Sequence, residues 1–281
     1  MLIRAVLGVV LALGWLGTPC AAAPDAGHDP RRLTASERAQ FVPLACRQAV
    51  YKKDVGAYRC ATLIGYPRAT PGVDDFAFDA IAYGGFTSAG AQQAYLSYAT
   101  LFEPHAFNFG GGVLFERSGA GWRLVRWYPG GQMDECVALP ATGRQRLLCR
   151  SGFVSEGEVS SAVSVRTVPP ANTPAAREGA TQVLVSVDDT RTMPAFLKPP
   201  KSKCGKLADY KPRVVLIDSL ARSTRPGSFA VANLTYVSAR EWYGACKTRR
   251  WDKIKGSRKP VYFGLANGQV TIDSAVPLER S

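Results

Sequence analysis

The chain has 281 residues, 46% of them hydrophobic, and a formal net charge of +13. A chain of this size and apolar content can bury the core of one large or two small domains, so its fold need not depend wholly on disulfides or a metal. Its two histidines, His28 and His105, argue against a histidine-rich metal centre and leave few groups for histidine-based catalysis.

The first 23 residues have the layout of a secretory signal peptide. Arg4 precedes an apolar run from Ala5 to Leu16, and Ala21 and Ala23 form a small-residue cleavage site. The run is shorter than the roughly 20 residues that span a bilayer, and no later segment is apolar enough to do so. We expect cleavage after Ala23, export to the periplasm or the extracellular space, and a mobile leader over residues 24–33.

Six of the seven cysteines remain once the signal peptide is removed. An even number in an exported chain favours disulfides, because the compartment is oxidising. The six fall into couples that are neighbours in sequence, and we predict the following bridges: Cys46–Cys60, Cys136–Cys149 and Cys204–Cys246. A zinc site is the alternative, but the sequence lacks a C-x-x-C pair. We therefore predict neither a metal nor a cofactor.

A helix is predicted to begin after Thr34, because Thr34 and Glu37 form a capping box. Pro43 would kink this helix or begin a second one, and Cys46 would lie on it. The hydrophobic pattern then changes to the alternation that is typical of strands. From Phe76 onwards, four strands are predicted before the Cys136 hairpin: Phe76–Tyr83, Ala94–Tyr98, Gly111–Glu116 and Trp122–Trp127.

The best-specified hairpin runs from Cys136 to Cys149, a segment that is nearly symmetric about its centre. In the register that this symmetry predicts, Cys136 faces Cys149 and Val137 faces Leu148. Opposed residues have Cβ atoms about 4.5 to 5.5 Å apart, close to the spacing that a disulfide bridges. The predicted hairpin register and the predicted Cys136–Cys149 disulfide are therefore consistent with each other.

A further strand over Val159–Val168 is followed by a proline-rich segment, residues 169–180, which we predict to be a linker. Residues 34–168 would form a helix plus β-meander domain. Residues 181–281 would be a basic β-rich domain or a continuation of the same fold.

The C-terminal part shows five more strand patterns, a short helix over Ser238–Cys246, and an irregular exposed loop over Met193–Lys211. Asn267-Gly268 predicts a type I′ hairpin. The strands are predicted at Gln182–Val187, Arg213–Asp218, Phe229–Tyr236, Val261–Leu265 and Val270–Ile272. The fold class is therefore mainly β, an antiparallel meander of hairpins in a sandwich, a barrel or a propeller-like arrangement, braced by disulfides and preceded by a short helical segment.

Residues suited to catalysis are few. His105 lies beside the run Gly110–Gly112, where an imidazole near exposed amides would suit a hydrolase, although a turn explains the same residues more simply. Three acidic pairs would serve a carboxylate mechanism, but adjacent residues on a strand point to opposite faces, so we interpret them as turn and solvated residues. The pairs are Asp74-Asp75, Asp134-Glu135 and Asp188-Asp189. We predict no catalytic residue, and a secreted hydrolase that uses carboxylates or His105 is the alternative function.

Positive charge is concentrated in the C-terminal part. Residues 24–173 carry 15 basic and 13 acidic residues, whereas residues 174–281 carry 19 and 9. A dense basic segment with interleaved aromatics follows Trp242, and such a segment would grip a polyanion by charge and ring stacking. The predicted polyanion-binding residues are Lys247, Arg249, Arg250, Trp251, Lys253, Lys255, Arg258 and Lys259.

The expected function is that of an exported binding or envelope-associated protein. Its candidate partners are an anionic envelope polymer and an acidic protein, while nucleic acid has less support. A solvated basic loop whose aromatic rings pack inward is the alternative interpretation of the same segment.

Overall fold

The structure is a computed structural model that describes residues 33–54, 56–66, 74–100, 110–129, 133–155, 158–170, 172–173, 181–189, 191 and 201–278. The predicted signal peptide, the leader up to residue 32, His105 and most of the predicted linker lie outside these ranges. Within them the chain forms two α-helices and four antiparallel sheets, so the mainly β prediction is confirmed. No helix among the described residues is long and apolar enough to cross a membrane.

The N-terminal part consists of one helix and a six-stranded sheet, with a separate two-stranded ribbon. The elements are α1 Ala35–Ala45, β1 Cys46–Arg47, β2 Val50–Lys52, β3 Ala57–Cys60, β4 Thr62–Leu63, β5 Asp74–Gly84, β6 Gln93–Thr100, β7 Gly110–Ser118 and β8 Gly121–Pro129. The sheet has the order β2-β3-β5-β6-β7-β8, and β1 pairs with β4.

Helix α1 begins as predicted. The Thr34 hydroxyl accepts from the Glu37 amide at 3.1 Å, and the Glu37 carboxylate accepts from the Thr34 amide at 2.7 Å. The helix continues through Pro43 to Ala45. Cys46 is its C-cap and the first residue of β1, so the placement of Cys46 on the helix was wrong by one residue.

The glycines Gly110–Gly112, which we interpreted as turn residues, belong to strand β7. A Cβ atom on Gly112 would lie 1.8 Å from the hydroxyl oxygen of Tyr95, and one on Gly110 would lie 1.9 Å from the Tyr98 carbonyl oxygen. Only glycine fits where β6 and its tyrosines approach so closely. Close packing therefore accounts for these glycines.

The middle part is a four-stranded sheet of β9 Glu135–Ala138, β10 Leu147–Ser155, β11 Glu158–Arg166 and β12 Thr181–Asp189, in the order β12-β11-β10-β9. Cys136 faces Cys149 and Val137 faces Leu148, which confirms the predicted hairpin register. Strand β12 follows the predicted linker yet pairs with β11, which precedes it. The chain after residue 181 thus starts within the same sheet.

The C-terminal part is a four-stranded meander of β13 Arg213–Arg222, β14 Ser228–Val237, β15 Ser257–Ala266 and β16 Gln269–Ser274, with helix α2 Ala239–Thr248 between β14 and β15. Asn267 and Gly268 both have positive φ angles, 51° and 73°, as a type I′ turn requires. Three 3₁₀ turns lie at Lys201–Lys203, Leu207–Asp209 and Trp251–Lys253.

The three large sheets lie in layers with a helix on each outer face. Phe41 of α1 packs against Phe115 and Trp122 on one side of the first sheet. The other side of the first sheet packs on one side of the middle sheet. The second side of the middle sheet packs on the C-terminal sheet. Trp242 of α2 covers the far side of the C-terminal sheet next to Val215. Alternating apolar residues on each strand make this layering possible.

All three predicted disulfides are present. Cys46–Cys60 joins β1 to β3, Cys136–Cys149 closes the hairpin of the middle sheet, and Cys204–Cys246 ties the loop before β13 to helix α2. The last bridge has a sequence separation of 42, and it brings the 3₁₀ turn at Lys201–Lys203 next to α2.

Candidate functional site

Helix α2 organises the basic surface of the C-terminal part. Its Ser238 cap accepts from the Glu241 amide at 3.3 Å, and Glu241 also accepts from the Gly256 amide at 3.0 Å. The capping box therefore fixes the start of the helix and the segment that precedes β15. Trp242, Ala245 and Cys246 form the buried face of α2, and its other face is left to polar and charged side chains.

All three 3₁₀ turns pack against α2. The turn at Lys201–Lys203 is held by Cys204–Cys246 and by the Lys247 ammonium, which donates to the Cys204 carbonyl oxygen at 2.8 Å. Two lysine-bearing segments that are distant in sequence thereby meet on one surface. We call this the basic surface and define it by Lys201, Lys203, Lys206, Lys247, Arg249, Arg250, Lys253 and Lys255.

Five of the eight predicted site residues lie on the basic surface as exposed or half-buried cations: Lys247, Arg249, Arg250, Lys253 and Lys255. Trp251, the predicted aromatic contact, is half-buried among them. Arg258 and Lys259 lie at the start of β15, opposite Thr235 and Leu234 of β14. The prediction missed Lys201, Lys203 and Lys206. The predicted Cys204–Cys246 bridge was the signal that could have found them, because it places their loop beside α2.

Part of this charge is paired within the surface. Asp252 contacts Arg250 at 3.2 Å and Lys253 at 3.9 Å, and hydrogen bonding to Arg250 lowers the pKa of Asp252. These groups are exposed, so the pairs add little stability. Within the described residues, Lys201, Lys203, Lys206 and Lys255 form no ion pair. The basic surface therefore keeps an uncompensated positive charge.

The aromatic rings of this part support cations and pack inward. The Arg213 guanidinium lies 4.7 Å from the ring of buried Trp242. The Lys247 ammonium lies 5.4 Å from the ring of half-buried Tyr243. Trp251 packs 6.2 Å from Trp242. Arg249 ends the helix in the left-handed conformation, at φ 61°. Since these rings contact protein, charge is the chemistry that the basic surface offers a ligand.

The acidic pairs considered for hydrolysis have structural partners. Arg150 contacts Asp134 at 3.0 Å and Glu135 at 3.1 Å, and the Glu135 carboxylate also accepts from the Leu220 amide. Burial raises the pKa of Asp134 against the opposing effect of Arg150. These contacts join the middle sheet to the C-terminal sheet.

Asp189 is also buried, and its carboxylate lies 2.6 Å from the Arg191 guanidinium. The interpretation of the pairs as solvated turn residues is therefore wrong for Glu135 and Asp189, which are 3% and 4% exposed. The reason is that an arginine partner compensates the cost of burying each carboxylate. His105 and the side chains of Asp74 and Asp75 lie outside the part of the chain that is described.

Among the described residues, no group of three or more histidine, cysteine or acidic side chains is arranged to hold a metal ion. Comparison of the chain with protein-family models, with curated proteins and with solved structures finds no match. The functional argument therefore rests on the geometry and charge of the surfaces themselves.

Proposed function

We propose that the protein is an exported binding module that holds an anionic envelope polymer or an acidic protein on its basic surface. The observation that carries the proposal is the convergence of two lysine-bearing segments beside α2, tied together by Cys204–Cys246. A covalent tie of this kind holds the backbone of both segments, and thus the attachment points of the cations, in a fixed arrangement. A fixed array loses less conformational entropy on binding than a mobile tail does.

The chemistry of the surface favours recognition by charge. Ammonium groups attract any dense anionic polymer, and binding releases the counterions of that polymer. This attraction does not depend on the sequence or the bases of the polymer. Base stacking needs open aromatic faces, and the rings beside α2 pack on protein and on arginine and lysine side chains. These features support an anionic polysaccharide or an acidic protein over a nucleic acid.

The proposal is tested by binding to fluorescein-labelled heparin, polyglutamate and an oligothymidylate, first at low salt. We compare the variant Lys201→Gln/Lys203→Gln/Lys255→Gln with the control Arg38→Gln/Arg47→Gln/Lys53→Gln. The control removes the same charge from exposed residues of the N-terminal part. We expect heparin or polyglutamate to bind, with affinity at least about tenfold weaker in the first variant only.

Three outcomes would contradict the proposal: no binding to either polymer at low salt, equal losses in both variants, or tightest binding to the oligothymidylate. Export is tested separately, by N-terminal sequencing of the protein recovered from the medium or the periplasm of a producing cell. The proposal expects an N-terminus at Pro24, and a chain that keeps Met1 inside the cell would contradict it.

A further inference from the structure

We propose a second binding site, a cleft of about 740 Å³ that takes a small anionic saccharide of one or a few sugar rings, each with one acidic group. The cleft lies where the first sheet, the loop between β9 and β10, and the end of β13 meet. Its principal lining residues are Tyr83, Gln92, Arg117, Trp122, Gln145 and Arg222. Its volume falls within the range of about 300 to 1,000 Å³ that is typical of small-molecule sites.

The floor of the cleft is preorganised by Gln145. The backbone amide of Gly85 donates to the side-chain oxygen of Gln145 at 2.7 Å, and the backbone amide of Gln145 donates to the Gly85 carbonyl oxygen at 2.8 Å. A Cβ atom on Gly84 would lie 2.4 Å from that side-chain oxygen. The absence of a side chain on Gly84 therefore leaves room for the loop between β9 and β10 at the end of β5, and protein contacts alone form the floor of the cleft.

Two aromatic rings form fixed walls. Trp122 packs 5.3 Å from Phe41 and 6.0 Å from Tyr83, measured between ring centroids. The Tyr83 hydroxyl donates to the Glu37 carboxylate at 2.7 Å, which holds this ring against helix α1. Both rings are only half-buried where they line the cleft. Because these contacts restrict both rings, little side-chain entropy is lost when their exposed parts contact the apolar face of a sugar ring.

The polar groups of the cleft determine the charge of the ligand. Arg117 and Arg222 both line the cleft, and no aspartate or glutamate does. Within the described residues neither arginine forms an ion pair, although the Arg117 guanidinium lies 5.6 Å from the Trp122 ring. A guanidinium binds a carboxylate or a sulfate through two parallel hydrogen bonds. An anion is therefore the complementary ligand.

Neutral amides supply the remaining hydrogen bonds. The side chains of Gln40 and Gln92 are exposed in the cleft and make no hydrogen bond within the described residues. An amide both donates and accepts, as a sugar hydroxyl does. Two guanidinium groups, two amides and two aromatic rings together match an acidic saccharide better than they match a compact inorganic anion, which would use the arginines alone.

The cleft is separate from the basic surface. Arg222 ends β13, whereas Arg213 begins it and lies over Trp242 of helix α2. A strand of this length, ten residues, separates its ends by about 30 Å. The two sites can therefore be tested independently on the intact protein, and the cleft proposal does not rest on the polymer-binding function.

The test is titration of the intact protein with digalacturonic acid, followed by calorimetry and tryptophan fluorescence, with lactose and citrate as probes. We expect digalacturonic acid to bind, lactose and citrate to bind at least about tenfold more weakly, and Arg117→Gln/Arg222→Gln to lose at least about tenfold in affinity for digalacturonic acid. The single variant Arg222→Gln changes an exposed residue at a strand end, so it retains the fold and should show part of the loss.

The basic-surface variant Lys201→Gln/Lys203→Gln/Lys255→Gln should bind digalacturonic acid like the parent protein. Equal binding of lactose would contradict the anionic requirement, and equal binding of citrate would contradict the saccharide. Unchanged affinity in both arginine variants would overturn the site. Loss in the basic-surface variant alone would assign the ligand to that surface.

Discussion

At the scale of single residues, Glu135 joins the middle sheet to the C-terminal sheet. Its carboxylate accepts from the Arg150 guanidinium at 3.1 Å and from the Leu220 amide, while Arg150 donates to the Ile217 carbonyl at 3.1 Å. The Glu135 side chain is buried, at 5% exposure, and the Arg150 side chain is 15% exposed. Removing one partner would leave a buried charge with incomplete compensation.

Glu135→Gln should therefore lower the free energy of unfolding by about 3 kcal/mol. Asp273→Asn is the control, because the 2.8 Å ion pair of Asp273 with Arg225 is exposed and should change stability by less than about 1 kcal/mol. Urea unfolding at neutral pH measures both. Equal losses in the free energy of unfolding of the two variants would show that the buried ion pair stabilises the protein no more than the exposed one.

Tyr128 gives a prediction for alkaline pH. Burial raises its pKa from 10.0 to about 12, against the opposing effect of Arg126, and its hydroxyl donates to the Pro169 carbonyl at 2.8 Å. Because the folded protein favours the neutral phenol, the stabilisation is complete below pH 10 and is lost as the pH rises towards 12.

Tyr128→Phe should cost about 1 kcal/mol of stability at neutral pH through the lost hydrogen bond. The difference between parent and variant should shrink when unfolding is measured above about pH 10. A difference that stays constant from about pH 9 to about pH 11.5 would contradict the raised pKa.

At the scale of elements, helix α2 is ten residues long, begins with a capping box and has one buried face. Burial alone would raise the pKa of Glu241, but hydrogen bonds from Ser238 and Gly256 outweigh it and lower the pKa. The carboxylate form thus stabilises the helix start above the ordinary pKa of 4.5, and this contribution disappears as the pH falls through the folded value.

Ser238→Ala should destabilise the protein by about 1 kcal/mol, because an amide of the first turn loses its acceptor. Glu241→Gln should also be destabilising at neutral pH, and its cost should diminish below about pH 4.5. Thermal unfolding across this pH range measures both effects. A loss of stability in Glu241→Gln that grows as the pH falls would contradict the lowered pKa of Glu241.

The sequence predicted those features of the fold that depend on residues close together in the chain. The register of the Cys136 hairpin follows from symmetry within 14 residues, and the Thr34 cap and the Asn267 turn follow from adjacent residues. The stacking of the sheets was not predictable in this way, since Glu135 meets Leu220 across 85 residues. The cleft was missed for the same reason, because Arg117 and Arg222 come from different sheets.

At the scale of the whole molecule, the length of β13 separates the two proposed sites, the cleft at Arg222 and the basic surface beside α2. The basic surface depends on one covalent tie, Cys204–Cys246, which closes a loop with a sequence separation of 42. The bridge lowers the conformational entropy of the unfolded chain. It also positions the Lys201–Lys203 turn beside α2.

Cys204→Ser/Cys246→Ser should lower the free energy of unfolding by about 4 kcal/mol, the loop-closure entropy expected at this length. It should also weaken heparin binding at a temperature where the variant remains folded, since the lysines of the turn lose their fixed position. Circular dichroism establishes the folded range, and fluorescence anisotropy measures binding. Unchanged affinity would show that the tie does not build the binding surface.

The most direct test of the polymer-binding account is the salt dependence of heparin affinity, measured as the slope of log K against log salt concentration. For the parent protein we expect a steep negative slope, as counterion release requires. In Lys201→Gln/Lys203→Gln/Lys255→Gln the slope should be shallower by about one for each lysine that contacts the polymer. The control Arg38→Gln/Arg47→Gln/Lys53→Gln should keep the slope of the parent. A slope near zero in the parent protein, or the same slope in both variants, would contradict the basic surface as the binding site.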